Sequence, residues 1–384
     1  MQGKDGAWRR YCLNGARVHH GNSVELLRNG DEVFPAMLTA IHGATDSILL
    51  EVYRIFNDAV GQRFADALVE KARQGVCVRL IYDAVGSWET NRLFFDQLRA
   101  AGAQTAEFNP VLLWTPNRMW GRRDHRKLLI IDGKVGFAGG LNISAEYGPV
   151  SWGGAAWRDT AVKASGPCLE ELIALFWQNW SKCRRRPERH CKPATHPVRQ
   201  EGGVPVSISA ISGYRSRRSF AANYRYAIEQ ARDYINLTNA YFVPGRSVTR
   251  GLVRAARRGV RVAVIVPGRA DVPFVRIASW ALYARLLRAG VEIYEWQPGI
   301  LHAKTCVVDG LWSSVGSHNF DSRSFYRNKE VNINVYGREF GTQMKTMFER
   351  DLAHCRPIHL EEWSRHSVWF RLAAHLLYFF RGVL

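Results

Sequence analysis

The apolar residues of this chain fall into short runs with two different spacings. Residues 47–53, 76–82 and 127–131 are continuous runs rich in Ile, Leu and Val, which predicts buried strands. Residues 64–73 place apolar side chains at helical spacing, and Gly75 follows as a natural helix end. The order strand, helix, strand predicts a mostly parallel sheet covered by helices, so we expect an α/β fold.

The same order of elements returns in the second half of the chain. Residues 67–76 resemble residues 251–260, each ending in Gly-Val, and further matches flank them. The elements predicted for the second half are strands at 234–239, 260–266 and 304–308 and a helix at 250–258. Repeated units of this length indicate two duplicated domains rather than a solenoid.

A basic segment separates the two halves. Residues 183–203 are rich in Arg, Pro and Gly and lack apolar periodicity, which is typical of a linker. We therefore predict a first domain at 1–182, a second at 204–355 and a separate C-terminal segment at 356–384.

Both halves contain the pattern H-x-K-x4-D. The first copy is His125, Lys127 and Asp132, and the second copy lies 177 positions later; its residues are His302, Lys304 and Asp309. A Gly and an Asn follow each copy at the same distance, as Gly139 and Asn142 and as Gly316 and Asn319. Two copies in register predict one active site built from two halves.

The residue types in the motif suit a phosphodiester. Alternate side chains of a strand share a face, so the His and Lys of each copy point the same way. Two ammonium groups and the amides of Asn142 and Asn319 would bind phosphate oxygens, and two imidazoles could divide the roles of nucleophile and acid. The acids Asp132 and Asp309 stand in Asp-Gly turn dipeptides, so we expect them to hold strand ends.

Each imidazole needs an acidic partner that fixes its tautomer. Asp159 and Glu330 are the candidates, because each follows its motif at the start of a further predicted strand. The alternative for each is a surface acid. No metal-ligand pattern occurs, so we expect neither a metal nor another cofactor.

The net charge of +19 favours an anionic partner, which could be nucleic acid, anionic lipid or a phosphate ester. Seven scattered Cys predict reduced thiols rather than a disulfide framework. The polar N-terminus and the lack of a long apolar run predict neither a signal peptide nor a spanning helix.

Two segments have the composition of membrane contacts. Residues 368–380 predict a helix with interfacial residue types, which would lie in the headgroup plane or dock on the core. Residues 111–124 are an insertion rich in Trp and Arg before the first motif, which would form a substrate lip, contact a membrane or pack on its own domain.

The two motifs, with Gly-Gly-Leu-Asn at 139–142 and Gly-Ser-His-Asn at 316–319, resemble the phospholipase D superfamily. Finer features resemble its bacterial cardiolipin synthase branch, in the short form without N-terminal transmembrane helices. These features are Phe-Pro-Ala at 34–36, Trp-Arg-Asp at 157–159 and Asn-Ala-Tyr-Phe-Val-Pro-Gly at 239–245.

The resemblance implies two α/β/α sandwich domains with pseudo-two-fold symmetry and one shared active site at their interface. It implies transfer of a phosphatidyl group between two phosphatidylglycerol molecules through a phosphatidyl-histidine. His125 would be the nucleophile and His302 the acid and then the base, or the reverse. The catalytic residues would be the six motif residues His125, Lys127, Asp132, His302, Lys304 and Asp309, of which the two Lys hold the phosphate. The substrate-binding residues would be Asn142, Asn319, Ser317 and Gly140, with Asp159 and Glu330 orienting the two His.

The expected partners are anionic phospholipids, phosphatidylglycerol and cardiolipin, at the cytoplasmic face of a bacterial inner membrane, with nucleic acid disfavoured. The competing function is hydrolysis by the same chemistry, as a phospholipase D or nuclease. A membrane scaffold without catalysis is disfavoured because both motifs are intact. The sequence does not set the oligomeric state.

Overall fold

The computed structural model describes residues 6–13, 17–111, 121–184 and 198–380. The chain divides into two compact units. The first-motif unit consists of residues 18–208 and 328–333, and the second-motif unit of residues 1–17, 209–327 and 334–384. Most of the predicted linker (185–197) and of the Trp-rich insertion (112–120) lies outside the described residues.

A mixed sheet forms the centre of the first-motif unit. Its strands are β1 (His19–Arg28), β2 (Ser47–Val52), β3 (Cys77–Asp83), β4 (Gln104–Phe108), β5 (Leu128–Ile131), β6 (Val135–Gly139) and β7 (Thr160–Ser165). Their spatial order is β1-β7-β6-β5-β2-β3-β4. The start of β8 (Val204–Ile211) pairs with β1, as in the register His19 opposite Val206.

The prediction of a mostly parallel sheet was wrong. Strands β2, β3 and β4 are parallel, but β5 joins β2 antiparallel, and β6, β7 and β1 continue antiparallel. The reason lies in the motif, since Asp132-Gly133 closes a tight turn between β5 and β6, and a short turn can join only antiparallel strands. The strands predicted at 47–53, 76–82 and 127–131 are confirmed.

Helices of the first-motif unit pack their apolar faces on this sheet. They are α1 (Asn29–His42), α2 (Ala59–Arg73), α3 (Arg92–Ala100) and α4 (Leu169–Cys183). Helix α2 begins five residues before its predicted start because Asp58 caps it, accepting hydrogen bonds from the backbone N–H groups of Val60 and Gly61. Phe34 and Phe64 meet edge to face at 5.4 Å in the core between α1 and α2.

The second-motif unit repeats this arrangement. Its elements are α5 (Tyr214–Gln230), β9 (Tyr234–Asn239), α6 (Arg246–Arg257), β10 (Arg261–Arg269), α7 (Pro273–Leu287), β11 (Glu292–Ile300), β12 (Lys304–Val308), β13 (Trp312–Gly316), α8 (Ser322–Tyr326), the last three residues of β14 (Glu330–Tyr336), α9 (Arg338–Leu352), β15 (Cys355–Ile358), α10 (Leu360–Ser364) and α11 (Val368–Phe379). Strands β9, β10 and β11 are parallel, and the motif strand β12 joins β9 antiparallel as β5 joins β2.

Two segments belong to a different unit from the one that their sequence position suggests. Near the N-terminus, Tyr11 donates a hydrogen bond of 2.6 Å to Asp309 of the second motif, and Trp8 contacts Tyr336. Residues 328–333 follow the second motif but lie in the first-motif unit, where the N–H of His125 donates to the carbonyl of Lys329. The boundaries at 182, 203 and 355 stay predictions.

Helix α11 docks on the second-motif unit with one face and exposes the other. On the docked face Phe370 stacks on Trp280 at 4.6 Å, and Ala374 is buried. Leu377 and Tyr378 pack against a small apolar cluster of α7 and the loop after β9. None of the helices in the described part of the chain combines the length and apolar character that crossing a bilayer requires.

Candidate active site

Asp132 fixes the end of the first motif strand. Its backbone lies in the left-handed region (φ 52°), which Asp tolerates in a turn. Its carboxylate accepts hydrogen bonds from the backbone N–H groups of Thr45, Asp46 and Ser47 at 2.8–3.0 Å and from the Thr45 hydroxyl at 3.0 Å. Burial acts to raise the pKa of Asp132, but these hydrogen bonds outweigh it and lower the pKa below its ordinary value.

Asp309 makes the same set of contacts in the second copy. Its φ is also 52°, and it accepts from the N–H groups of Arg232, Asp233 and Tyr234 at 2.7–2.9 Å. The fourth donor is the hydroxyl of Tyr11. Each carboxylate thus accepts four hydrogen bonds from the surrounding fold. This supports the interpretation that both acids hold strand ends.

The imidazole of His125 is held by Glu330. Its Nδ1 lies 3.1 Å from both carboxylate oxygens of Glu330, whose side chain is fully buried. A carboxylate can only accept here, so Nδ1 carries the proton and the lone pair is on Nε2. Glu330 follows the second motif in sequence, yet its partner is the His of the first motif.

Lys127 lies beside the same imidazole. Its Nζ donates to the backbone carbonyl of His125 at 2.7 Å and stands 5.4 Å from the ring centre of Tyr53. Tyr53 meets the His125 ring edge on at 5.0 Å. Lys127 and His125 are both more than nine-tenths buried, so this ammonium lies in a setting where its charge acts strongly on a bound anion.

In the second-motif unit the contact between Lys and His differs. Lys304 Nζ lies 2.6 Å from Nδ1 of His302 and also donates to the His302 carbonyl. An ammonium donates, so Nδ1 of His302 accepts and the proton of the neutral ring is on Nε2. Both side chains are buried. The two imidazoles therefore have opposite tautomers in these contacts.

Asp159 and Gly140 pack against each other in the first-motif unit. A Cβ added to Gly140 would lie 2.2 Å from a carboxylate oxygen of Asp159, so only glycine leaves room for that acid. Asp159 is fully buried, and its Oδ1 accepts from the N–H of Thr160 at 2.7 Å. These contacts give Gly140 a packing role next to Asp159.

The predicted amide groups are also buried. Asn142 donates to the Tyr147 hydroxyl at 3.0 Å, and its Oδ1 accepts no hydrogen bond from the residues described. The Oδ1 of Asn319 is also buried and accepts no hydrogen bond from the residues described. Ser317, two residues before Asn319, is fully buried at the end of β13. The two Asn side chains thus keep polar capacity that the described residues do not use.

A buried cluster of charges surrounds His125 on both sides. Arg126 pairs with Glu51 at 2.8 Å and with Asp124 at 3.3 Å. Asn179 donates to both of these acids and accepts from Lys329. Asp124 and Arg126 flank His125 in the chain, while Lys329 precedes Glu330, so the cluster fixes the backbone of both partners.

Burial shifts the pKa values within this cluster. It raises the pKa of Glu51 well above its usual range, against the opposing charge of Arg126. It lowers the pKa of Lys329 to about 8, against the attraction of Asp124. For Asp124 burial acts upward, but Arg126 and a hydrogen bond from Glu51 outweigh it and lower the pKa. Burial thus prevails at Glu51, and the neighbouring charges and hydrogen bonds prevail at Asp124.

This cluster and the role of Tyr11 were not predicted from the sequence. One signal was present, because Glu51 stands within an apolar run that predicts a fully buried strand, and a buried acid requires partners. Among the described residues, no group of three or more His, Cys, Asp or Glu side chains is arranged to hold a metal ion.

Comparisons with known proteins agree with the motif pattern. The family model described as "Cardiolipin synthase, PLD-like domain" matches residues 37–148 and 224–352. The chain is 36% identical over 367 residues to a cardiolipin synthase of Geobacillus thermodenitrificans, covering 94% of this chain and 72% of that protein. It is 33% identical to cardiolipin synthase B of Escherichia coli K12, covering 94% and 87%.

A solved structure supports the fold. The phosphatidylserine synthase of Haemophilus influenzae Rd KW20 superposes with a TM-score of 0.69 over 94% of this chain and 95% of its own, at 14% identity. At that identity the likeness concerns the α/β architecture alone.

The Asp132 contacts predict a pH-dependent loss of stability in Asp132→Asn. Asn tolerates the same φ but turns an NH2 group towards backbone donors, so we expect the free energy of unfolding to fall by about 1–3 kcal/mol. The pKa of Asp132 in the folded protein lies below its value of about 3.9 in the unfolded chain. The carboxylate therefore stabilises the fold fully above that pH and progressively less below it.

Urea unfolding at pH 7, 5 and 3.5 measures this effect. The difference in the free energy of unfolding between wild type and variant should be constant from pH 7 to pH 5 and smaller at pH 3.5. Asp66→Asn is the matched control on an exposed helix face. If Asp132→Asn unfolds with the same free energy as wild type at pH 7, or is destabilised no more than the control, Asp132 does not hold the strand end.

Proposed function

The chain belongs to the cardiolipin synthase family of phospholipase D-like proteins, and from this premise we propose how its residues transfer a phosphatidyl group between two phosphatidylglycerol molecules. The observation that carries the proposal is the pair of H-x-K-x4-D motifs, in which Nδ1 of His125 faces the Glu330 carboxylate and Nδ1 of His302 faces the Lys304 ammonium. Both motifs act on one phosphodiester, and the products are cardiolipin and glycerol.

His125 begins the reaction as the nucleophile. Glu330 holds the proton on Nδ1, so the Nε2 lone pair attacks phosphorus and the charge that develops on the ring is stabilised by the buried carboxylate. The N–P bond forms as the bond from phosphorus to the glycerol oxygen breaks. Lys127 and Lys304, with the amides of Asn142 and Asn319, bind the phosphate oxygens.

His302 supplies and then removes the proton. Its Nε2 proton goes to the departing glycerol oxygen while its Nδ1 takes a proton from the Lys304 ammonium, so that the ring stays neutral. In the second half the hydroxyl of another phosphatidylglycerol gives its proton to Nε2 of His302 and attacks phosphorus, and Nδ1 returns its proton to Lys304. The N–P bond breaks and His125 is free again, while the orienting role of Asp159 stays a prediction.

Water is the competing acceptor, and its use would make the enzyme a hydrolase. The relatives reported above bear the name cardiolipin synthase and do not favour that alternative. Purified protein incubated with phosphatidylglycerol in mixed micelles should yield cardiolipin and glycerol by mass spectrometry. Phosphatidic acid as the sole lipid product would overturn the transferase proposal.

We place the enzyme on the cytoplasmic face of the inner membrane as a peripheral protein. Helix α11 supports contact with a membrane surface, because Trp369, Leu372, Leu376 and Phe379 form a stripe along its exposed face. These side chains are 53–80% exposed, and each recurs three or four residues after the last. Such a stripe can enter the headgroup region while the opposite face stays docked.

Changing either motif histidine should remove turnover. His125→Ala and His302→Ala should each lower cardiolipin formation by at least about 10³-fold, because the two imidazoles act as a unit. His42→Ala, at an exposed helix end, is the control. Substantial activity in either motif variant would contradict the two-imidazole mechanism.

A substrate with a better leaving group separates the two roles. A phosphatidyl ester of p-nitrophenol needs no acid for departure, so His302→Ala should still release a burst of p-nitrophenol and His125→Ala should not. The reverse result would exchange the assignments of nucleophile and acid.

Glu330→Gln should slow catalysis without altering the shape of the site. The variant keeps the size of the side chain but loses the charge that stabilises the His125 cation, so we expect kcat to fall by about 10²–10⁴-fold with little change in KM. Glu25→Gln is the control, since the Glu25 side chain on β1 is exposed and pairs only with Lys163 of β7 among the described ion pairs. A large change in KM with kcat preserved would assign Glu330 to substrate binding instead.

The exposed stripe of α11 should control membrane binding and leave chemistry intact. Replacing Leu372, Leu376 and Phe379 with Ser should weaken vesicle binding about tenfold or more, since the apolar face no longer gains from burial. Activity on detergent-dispersed phosphatidylglycerol should be kept. Leu93→Ser, also exposed, is the control, and unchanged vesicle binding of the triple variant would exclude the stripe as the contact.

A further inference from the structure

A cavity of about 830 Å³ opens in the second-motif unit beside the C-terminal helix. It lies among the first turn of α6, the short helix α8 and the end of α11. Its chemistry is set by Arg246, Arg250, Ser322, Phe325, Tyr326 and Phe379. It shares no lining residue with either motif, so it is distinct from the site of phosphatidyl transfer.

One side of the cavity is cationic. Arg246 and Arg250 stand one turn apart on α6 and are both exposed, and neither forms an ion pair with a described residue. Arg250 donates through Nε to the carbonyl of Arg246 at 3.2 Å. Arg254, one turn further, is instead neutralised by Glu229 at 2.9 Å.

The rim of the cavity is aromatic and exposed. Phe379 is 76% exposed and Tyr326 is 65% exposed. Phe379 is also the last member of the apolar stripe of α11, so the stripe leads directly to the cavity mouth. No acidic residue is among those described that line the cavity.

We propose that this cavity is a non-catalytic binding site for the headgroup of an anionic phospholipid in the bilayer on which α11 lies. The inference rests on the peripheral membrane location proposed above. The two guanidinium groups match the phosphate oxygens in charge and geometry, and Ser322 adds a hydroxyl donor. Tyr326 and Phe379 are of the residue types that lie at the level of the headgroups.

The site makes membrane binding selective for anionic lipid. An apolar stripe alone would bind neutral and anionic bilayers alike, whereas the arginines contribute only where the lipid bears a net negative charge. The enzyme would then concentrate on membrane regions rich in its own substrate and product.

Vesicle flotation of the full chain tests this proposal. Arg246→Gln with Arg250→Gln should bind vesicles of phosphatidylglycerol and phosphatidylcholine about 30-fold more weakly than wild type. Binding to pure phosphatidylcholine vesicles should not change. The matched control is Arg338→Gln with Arg350→Gln, which removes the same charge from exposed positions on α9 and should change binding less than about threefold.

A second variant tests the cavity itself. Ser322→Trp fills the space and keeps every charge, so it should also weaken binding to anionic vesicles, with circular dichroism confirming the fold. If the cavity double variant and the control double variant lose vesicle binding equally, only the net charge matters, and the proposal is overturned. Unchanged vesicle binding in the cavity pair, with weaker binding of duplex DNA, would overturn it in favour of a nucleic-acid contact.

Activity separates this proposal from the proposed function. The cavity variants should form cardiolipin from detergent-dispersed phosphatidylglycerol at nearly the wild-type rate, because they change no residue of the motifs. If the wild type formed no cardiolipin, the proposed reaction would fail whatever the vesicle result. If it did and the cavity variants bound vesicles normally, only the headgroup site would fail.

Discussion

The carboxylate at the end of each motif is the constraint from which the geometry of each half follows. Asp132 and Asp309 adopt the same left-handed turn and collect backbone N–H groups from the start of the neighbouring strand. The strand that follows each His is thereby tied at one end to a central parallel strand, and its register is fixed. Because His125 and His302 lie just before β5 and β12, fixing the register of these strands also restricts where the two imidazoles can lie.

The two halves differ in the residues that surround this shared turn and strand. His125 stands between Asp124 and Arg126, members of a buried ionic cluster, whereas the equivalent neighbours of His302 are Leu301 and Ala303. A buried ionic cluster stabilises only when every member is paired, and here each member has a partner. The first half is thus the more extensively paired environment, which suits the role of nucleophile proposed for His125.

Much of this could be predicted from the sequence, because repeats and strand periodicity depend on local order. The duplicated elements and the buried motif strands follow from such patterns. Contacts between residues far apart in the chain could not be predicted. Nothing local shows that Glu330 would hold His125 rather than the His of its own half, or that Tyr11 would donate to Asp309. The antiparallel strands were not predicted, because the Asp-Gly dipeptide was interpreted as the end of a strand and not as the turn of a hairpin.

The choice between transfer and hydrolysis depends on which hydroxyl reaches the phosphatidyl-histidine. Water is present at about 55 M in bulk, so a lipid alcohol wins only if the site holds it at a higher effective molarity or excludes water. A protein that lies on the bilayer meets its acceptor in a thin layer with a fixed orientation. The stripe of α11 and the cationic cavity beside it would therefore serve the chemistry indirectly, since they keep the enzyme where acceptor lipid is concentrated and water is scarce.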